Sequence, residues 1–399
     1  MFNKPGDEGF EEPVVVYPET IGVVKGSVDI KSPDIFGSGM GVKLPLYDPE
    51  SFPEADRVKI PTESNFIDHD NLIYKVAVDL VRGKVPMMWG PAGVGKTQLA
   101  RHMAFLMQVP FERVPLGETS EREDVTGHYE LKGSNTEWVQ SRLARSFGRP
   151  GVTCIDEWNA APPAVLHVAR PVLDDSAALA LDAYDGRILL KHEHNFMIAT
   201  GNPDWMPQYA GLLPLSEADA DRLSHINVGW PKVDVEAEIL LNHVKAKDLD
   251  RVPAWHLVCG LLAWSDIRTQ IDAGSIGVTA GTRSLVNFVE LLQYHTVREA
   301  MSKVYERMDA QSYGRVVQSI DHHRWDKYTT PRAVELDSHT TLLERLSSLA
   351  TDKEHDIVRC DECELPYCEE HSLGCGESGC EHMEEHFELV EHKDSRYVT

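Results

Sequence analysis

Residues Gly90, Pro91, Ala92, Gly93, Val94, Gly95, Lys96 and Thr97 form a glycine-rich loop that ends in a lysine and a hydroxyl. Glycines let successive backbone N–H groups turn inward around phosphate oxygens; the lysine adds a point charge, and the threonine hydroxyl can ligate Mg²⁺. Gln98 opens the segment that follows. Sixty residues on, Asp156 and Glu157 end a β-branched apolar run, residues 151–155. One carboxylate there can hold Mg²⁺ through water, which falls to Asp156. The next can polarise an attacking water, which falls to Glu157. A third run, 195–201, ends at Asn202 before a proline. An amide at that point can donate to one oxygen and accept from another, and so position a nucleophilic water. Each acid or amide alone also fits a plain reading, a solvated strand end or an Asn-Pro turn. Together with the phosphate loop they fit the hydrolysis of a nucleoside triphosphate, ATP with Mg²⁺.

The elements that must position these groups are legible around them. Residues 84–89 are a short apolar run and residues 98–107 have helical spacing, so the order is strand, loop, helix. Carboxylates presented at the C-terminal edge of buried strands are where ligands collect in parallel α/β sheets. The fold class expected is therefore α/β with a parallel sheet. Residues 236–242 and 298–305 carry helical periodicity and suit a separate helical region.

The chain has 399 residues, 42% of them hydrophobic and 26% charged, enough for two or three domains with a sizeable core. It has no apolar run of 18 residues and its first residues lack a charged-then-apolar leader, so the expectation is a cytoplasmic protein without membrane contact. The net charge of -25 argues against broad adhesion to nucleic acid or anionic lipid. The first 56 residues hold eleven acids and four lysines among many Pro and Gly, which reads as an extended or partly ordered acidic arm over 1–57. The remainder divides into a nucleotide-binding domain at 58–232, helices at 233–350 and an acidic Cys/His-rich tail at 351–399.

That tail holds five of the seven cysteines. Its spacing is Cys360-x₂-Cys363-x₄-Cys368-x₂-His371, then Cys375-x₄-Cys380-x-His382-x₃-His386. Eight such ligands in a segment too short and acidic to build its own core point to two tetrahedral Zn²⁺ sites, with metal folding the segment. A redox or disulfide cluster and plain thiols are the alternatives, and spacing leaves the ligand pairing open. Cys154 and Cys259 sit in apolar contexts and read as core.

The series GPAGVGKT, CIDEWNAAP, FMIATGNP and Glu217-Ala-Asp-Ala-Asp-Arg222 resembles the AAA+ ATPases of the MoxR and CobS-like group, dynein-related in subfamily, over roughly residues 58–300. Residues 66–72 and 123–127 are also similar to that group. The resemblance implies a sheet order of 5-1-4-3-2, a helical lid and a hexameric ring. It makes Asn202 the sensor beside the nucleotide, and Arg222 an arginine finger reaching a neighbouring subunit's nucleotide. A surface ion pair with Asp219 or Asp221 is the plain alternative for Arg222. Arg283 matches the second sensor, although this chain has Gly281-Thr282-Arg283 where the group often has Ser-Pro-Arg.

Residues 127–138 and 179–190 have hairpin patterning and lie where the group carries an insert and a hairpin facing the ring pore. Tyr129, Trp138 and Tyr184 can grip a partner polypeptide there or simply pack the hairpins. The resemblance implies an ATP-driven motor acting on a client protein or assisting metal or cofactor insertion, often with a von Willebrand A-type partner. Two readings stand behind it. One is a nucleic-acid motor, for which Lys132, Arg187 and Lys191 supply too few cations; the other is a nucleotide-gated scaffold that recruits partners through the tail.

Overall fold

The computed structural model describes residues 14–33, 41–173, 178–204, 209, 212, 214–247, 249, 252, 254–305, 308–321, 358–359 and 366–367. The chain divides into two compact units, one comprising 1–90 and 95–228, the other 91–94 and 229–399.

The first unit contains, in chain order, β1 (Val15–Val16), β2 (Val23–Ile30), β3 (Val42–Asp48), α1 (Glu54–Arg57), α2 (Leu72–Val81), β4 (Val85–Trp89), α3 (Lys96–Met107), β5 (Phe111–Pro115), α4 (Arg122–Thr126), β6 (Gly127–Lys132), β7 (Asn135–Gln140), α5 (Arg142–Phe147), β8 (Gly151–Asp156), α6 (Pro163–Ala169), β9 (Ala178–Leu181), β10 (Arg187–Leu190), β11 (Asn195–Gly201), α7 (Glu217–Ala220) and β12 (Leu223–Asn227). Five parallel strands form the central sheet in the order β12-β4-β11-β8-β5. Counted along the chain this is 5-1-4-3-2, the expected order. The three inner strands, β4, β8 and β11, are buried at every position, which is why their sequences are continuous apolar runs rather than alternations. Pro86 is tolerated in an inner strand because pairing of β4 with β11 begins only at Met87.

Both expected hairpins form. Strands β6 and β7 pair antiparallel from Gly127 with Gln140 to Lys132 with Asn135. Strands β9 and β10 pair across a turn in which Asp185 and Gly186 have φ of 52° and 61°. Two positive φ values in succession are what an Asp-Gly hairpin turn supplies.

Part of the acidic arm, expected to be extended or partly ordered, is regular structure. Residues 23–30 and 42–48 form a hairpin in the first unit, with Leu44, Tyr47 and Phe52 buried beneath it. Burying three such side chains contributes about 1.5–3 kcal/mol each. Tyr47 Oη lies 2.6 Å from His194 Nδ1, Lys25 donates to Gln108, and Arg149 bridges Glu19 and Asp56. The acids that suggested disorder are thus partly spent as ion-pair partners.

The second unit is helical: α8 (Val233–Ala246), α9 (Ala254–Asp272), α10 (Thr282–Leu292), α11 (Val297–Tyr305) and α12 (Ala310–Asp321). Its core gathers Leu240, Trp264, Ile267, Leu285, Phe288 and Met301. The boundary falls at 228/229, four residues before the expected 232/233. In the tail, two-residue strands β13 (Val358–Arg359) and β14 (Pro366–Tyr367) pair antiparallel. Cys360, Cys363, Cys368, His371, Cys375, Cys380, His382 and His386 all lie outside the described residues. Among the described residues, no group of three or more His, Cys, Asp or Glu is arranged to hold a metal, and no helix is long and apolar enough to cross a membrane.

Candidate active site

The phosphate loop joins β4 to α3. Gly93 and Gly95 have φ of 86° and 97°, a backbone region that side-chain-bearing residues rarely adopt, so these two glycines are required by the turn. Val94 is buried and anchors the loop. Lys96 and Thr97 then occupy the first turn of α3, where unpaired backbone N–H groups and the helix dipole favour a phosphate; Gln98 is exposed beside them.

Lys96 is buried, and its Nζ donates to Gly90 O at 2.6 Å and to Asn202 Oδ1 at 3.0 Å. Thr97 Oγ1 donates to Asp156 Oδ1 at 3.0 Å. Four of the residues singled out from sequence therefore meet at the C-terminal ends of β4, β8 and β11. Glu157 is the first residue past β8, exposed, with φ of 63°. A non-glycine in this region is uncommon and turns the carboxylate out of the strand direction.

Three further residues hold this arrangement and carried no signal in the sequence. Thr200, fully buried, donates through Oγ1 to Asp156 Oδ1 at 2.5 Å and accepts from Glu157 N at 3.1 Å. Asn159, also buried, donates to Asn202 O at 2.8 Å and accepts from Asn202 N at 3.3 Å. Arg113, on β5, places Nε at 2.7 Å and Nη2 at 2.6 Å from Asp156 Oδ2. Arg113 sits in a strand that also carries Glu112 and is mostly not buried, and Thr200 and Asn159 look like ordinary strand and turn residues.

The donor set fits Mg²⁺. A hard cation takes oxygen ligands, and Thr97 Oγ1 and Asp156 Oδ1 are adjacent oxygens at the mouth of a phosphate-binding loop. These two would hold the ion, which would supply positive charge against the negative charge of a bound triphosphate. Lys96, Asn202 and Glu157 lie around the same loop mouth, the first two in direct contact and the third exposed beside them.

On the same unit, Phe66 presents its ring to Gly95, and its centroid lies 5.5 Å from His102 and 6.2 Å from His69. Burial pushes the His102 imidazole below its ordinary value, against an opposing pull from Asp68. The His102 ring and its neighbours form an aromatic wall beside the loop.

Arg222 follows α7 directly and donates to Ala218 O. Asp219, one of the two acids considered as its ion-pair partner, is engaged by Arg170, whose Nε and Nη2 reach the two carboxylate oxygens at 2.5 and 3.1 Å, and the Arg222 charge also acts on it. Arg283 is exposed in the first turn of α10. Within the second unit, Gly281 lies against the loop tip: a Cβ on it would stand 2.5 Å from Ala92 O and 3.0 Å from Gly93 Cα. This close approach explains the glycine where the related pattern has serine. Thr282 is fixed by Glu236, which Arg268 also pairs, and Arg268 donates to Ala280 O.

The aromatic residues pack on one another. Trp138 stacks on Tyr184 at 4.9 Å and 2°, with Tyr129 edge-on to both and the Arg187 guanidinium 4.0 Å over Tyr184. They tie the two hairpins together, leaving Tyr129 and Leu131 exposed. Cys154 and Cys259 are fully buried, and burial pushes both thiols up, as core cysteines.

A phosphate loop, a 5-1-4-3-2 parallel sheet and an amide just past the fourth strand define a nucleotide-binding domain of the AAA class. Residues 86–214 match the AAA domain of the dynein-related subfamily. The chain is 23% identical over 256 residues to the uncharacterized protein YojN of Bacillus subtilis, covering 63% of this chain and 81% of that one. It is 28% identical over 166 residues to protein NorQ of Paracoccus denitrificans, covering 41% of this chain and 58% of that one. A crystal structure described as a candidate ATPase of Cytophaga hutchinsonii aligns with a TM-score of 0.36 at 16% identity, over 70% of this chain and 88% of that chain.

Proposed function

We propose that this chain hydrolyses Mg-ATP as a subunit of a homo-oligomeric ring, hexameric by family expectation, and uses the turnover to remodel a client protein or to assist metal or cofactor insertion. The observation that carries the reading is the meeting of Lys96 with Asn202 and of Thr97 with Asp156 at one sheet edge. Charge, amide and oxygen ligands converge where a triphosphate would lie, with Glu157 turned toward solvent beside them. Arg222 acts across the ring on a neighbour's nucleotide, a role worth about 10³ to 10⁵ in rate in related systems. The tail carries two Zn²⁺ through Cys360, Cys363, Cys368, His371, Cys375, Cys380, His382 and His386 and recruits the partner. The acidic balance and the hairpins' few cations support a protein client over nucleic acid.

The experiment is a trap. Glu157→Gln should retain ATP while losing hydrolysis, and Lys96→Ala should lose binding. A pull-down with the trapped protein, compared with the same variant truncated before Asp356, should recover a protein partner only when the tail is present. Retained turnover in Glu157→Gln would remove the catalytic assignment, and recovery of nucleic acid would replace the client. Mixing Arg222→Ala with Glu157→Gln subunits should partly restore turnover; confirmed mixed rings without rescue would defeat action in trans. Metal analysis of reduced protein should give about two zinc per chain, abolished by the truncation.

A further inference from the structure

We infer that Arg113 sets the Mg²⁺ requirement of the site by holding Asp156 as its ion-pair partner and competing with the incoming cation for that carboxylate. This rests on the reading above of Thr97 and Asp156 as the Mg²⁺ ligands.

The argument begins with register. Arg113 pairs with Cys154 between β5 and β8, and Pro115 pairs with Asp156. Arg113 and Asp156 are therefore diagonal neighbours on one face of the sheet, a separation that only a long side chain spans. The guanidinium reaches across and places both Nε and Nη2 on Oδ2, at 2.7 and 2.6 Å. The other oxygen, Oδ1, accepts from Thr97 and Thr200. Both carboxylate oxygens are thus engaged and its charge is compensated by a residue of its own unit.

The two sides of the pair differ. The Asp156 side chain is 6% exposed, whereas that of Arg113 is 54% exposed. Among the described residues, Arg113 sits on the edge strand β5, which pairs in the sheet with β8. The arginine can therefore leave for solvent while the carboxylate stays. A Mg²⁺ arriving at Thr97 and Asp156 meets a fixed positive charge on the same carboxylate, which opposes it and must be screened or displaced. Arg113 is a positioning residue for Asp156 and a brake on loading of the cation.

The test uses the full chain and fluorescent ADP as probe, with Mg²⁺ titrated at fixed nucleotide and binding read by anisotropy. Arg113→Gln should lower the Mg²⁺ concentration for half-maximal binding roughly five-fold, the scale of a half-exposed ion pair. Arg113→Lys, which keeps the charge, should shift it less. In an Asp156→Asn background, Arg113→Gln should change the midpoint by no more than the error, since nothing is left to compete for. An unchanged or raised midpoint in Arg113→Gln overturns the inference, the latter meaning that Arg113 merely orients Asp156 for the cation. A shift of equal size in the Asp156→Asn background also overturns it. Failure of the wild-type chain to bind the nucleotide at any Mg²⁺ concentration would instead remove the reading of the site on which it stands.

Discussion

Lys96 Nζ and Asn202 Oδ1 lie 3.0 Å apart although 106 residues separate them in the chain. The loop lysine and the amide past β11 are brought together because β4 and β11 are adjacent and parallel, with Thr200 beside Met88 and Gly201 beside Trp89. Parallel register puts both C-terminal ends at one edge, so a residue just past each strand reaches the same point. The amide oxygen engages the ammonium, which leaves the amide N–H₂ to address a water or a phosphate oxygen. Asn202→Ala should therefore leave fluorescent-nucleotide binding within a few-fold while lowering turnover about 10² to 10³, the loss typical of one oriented polar group in a transition state. Phosphate release at saturating ATP checks this, and turnover at the wild-type rate would show that Asn202 only braces the lysine.

Asn159 holds the backbone of Asn202 from both sides, donating to its carbonyl and accepting from its N–H. It is almost fully buried, so neither bond is easily replaced by water. Asn159→Ala should cost about 1–3 kcal/mol in stability. It should also reduce turnover at saturating nucleotide, because the amide of Asn202 loses its fixed direction. Equal loss in Asn159→Ala and Asn159→Ala/Asn202→Ala would confirm that Asn159 acts through Asn202; additive losses would separate them.

The chemistry-bearing residues were legible because a phosphate loop, a strand-end acid pair and a strand-end amide each leave a local pattern, and parallel strands are continuous apolar runs. The strand order was legible only through family resemblance, since nothing in the sequence of β12 says that it pairs with β4. Asn159, Thr200 and Arg113 escaped notice because their roles depend on which strands are neighbours. The hairpin within the arm was hidden for a related reason. Its Pro, Gly and acids suggest disorder, but Leu44, Tyr47 and Phe52 find a surface to bury on and Glu19 finds Arg149. Composition counts charges without saying which will be partnered.

The Arg170–Asp219 pair fixes the turn that carries Arg222. Burial alone would push the Asp219 carboxyl up; hydrogen bonds from Arg170 and Ser216 and the charges of Arg170 and Arg222 outweigh it and hold the group below the usual carboxylate range. A carboxylate depressed on folding contributes stability above its unfolded value, near 4, and loses it as pH falls through the folded value. Asp219→Asn should cost about 3 kcal/mol at pH 7, since it leaves a partly buried arginine without its charge partner. The cost should shrink below about pH 4. Chemical denaturation across pH measures it, and a pH-independent cost would mean that packing, not charge, is what the substitution removes.

Two imidazoles are pushed below their ordinary value by burial. Burial lowers His102, opposed by Asp68; burial lowers His192, with help from His194 and opposition from Glu193. Between the depressed folded value and the unfolded value near 6.5, the unfolded chain binds more protons, so stability rises with pH through that window and falls as the solution is acidified. Thermal melts should drop below about pH 6.5, and His102→Gln with His192→Gln should flatten that part of the profile. Because His102 stands in the aromatic wall beside Gly95, its share of the drop should be reduced by bound nucleotide, whereas the share from His192 should not.

Gly281 is a glycine for lack of room. Its φ is not in the left-handed region, so the backbone itself would accept a side chain, but an added Cβ would lie 2.5 Å from Ala92 O and 3.0 Å from Gly93 Cα. Backbone atoms cannot swing aside as a flexible side chain can, so something must shift. The 281 side has little freedom: Gly281 O accepts from Leu285 N and Ser284 N, and the flanking residues are held by the buried Glu236–Arg268 pair through Thr282 and Ala280. The displacement then falls on residues 92–93 of the phosphate loop, whose shape is what cradles a phosphate. Gly281→Ala should cost about 1–3 kcal/mol, the usual price of overpacking. It should appear as weaker nucleotide binding as well as a lower melting temperature. Gly277→Ala supplies the control, since a Cβ there meets nothing within 4 Å. If Gly281→Ala lowers the melting temperature but binds fluorescent nucleotide as tightly as the wild type, the strain is absorbed by the helices and the loop is not what Gly281 protects.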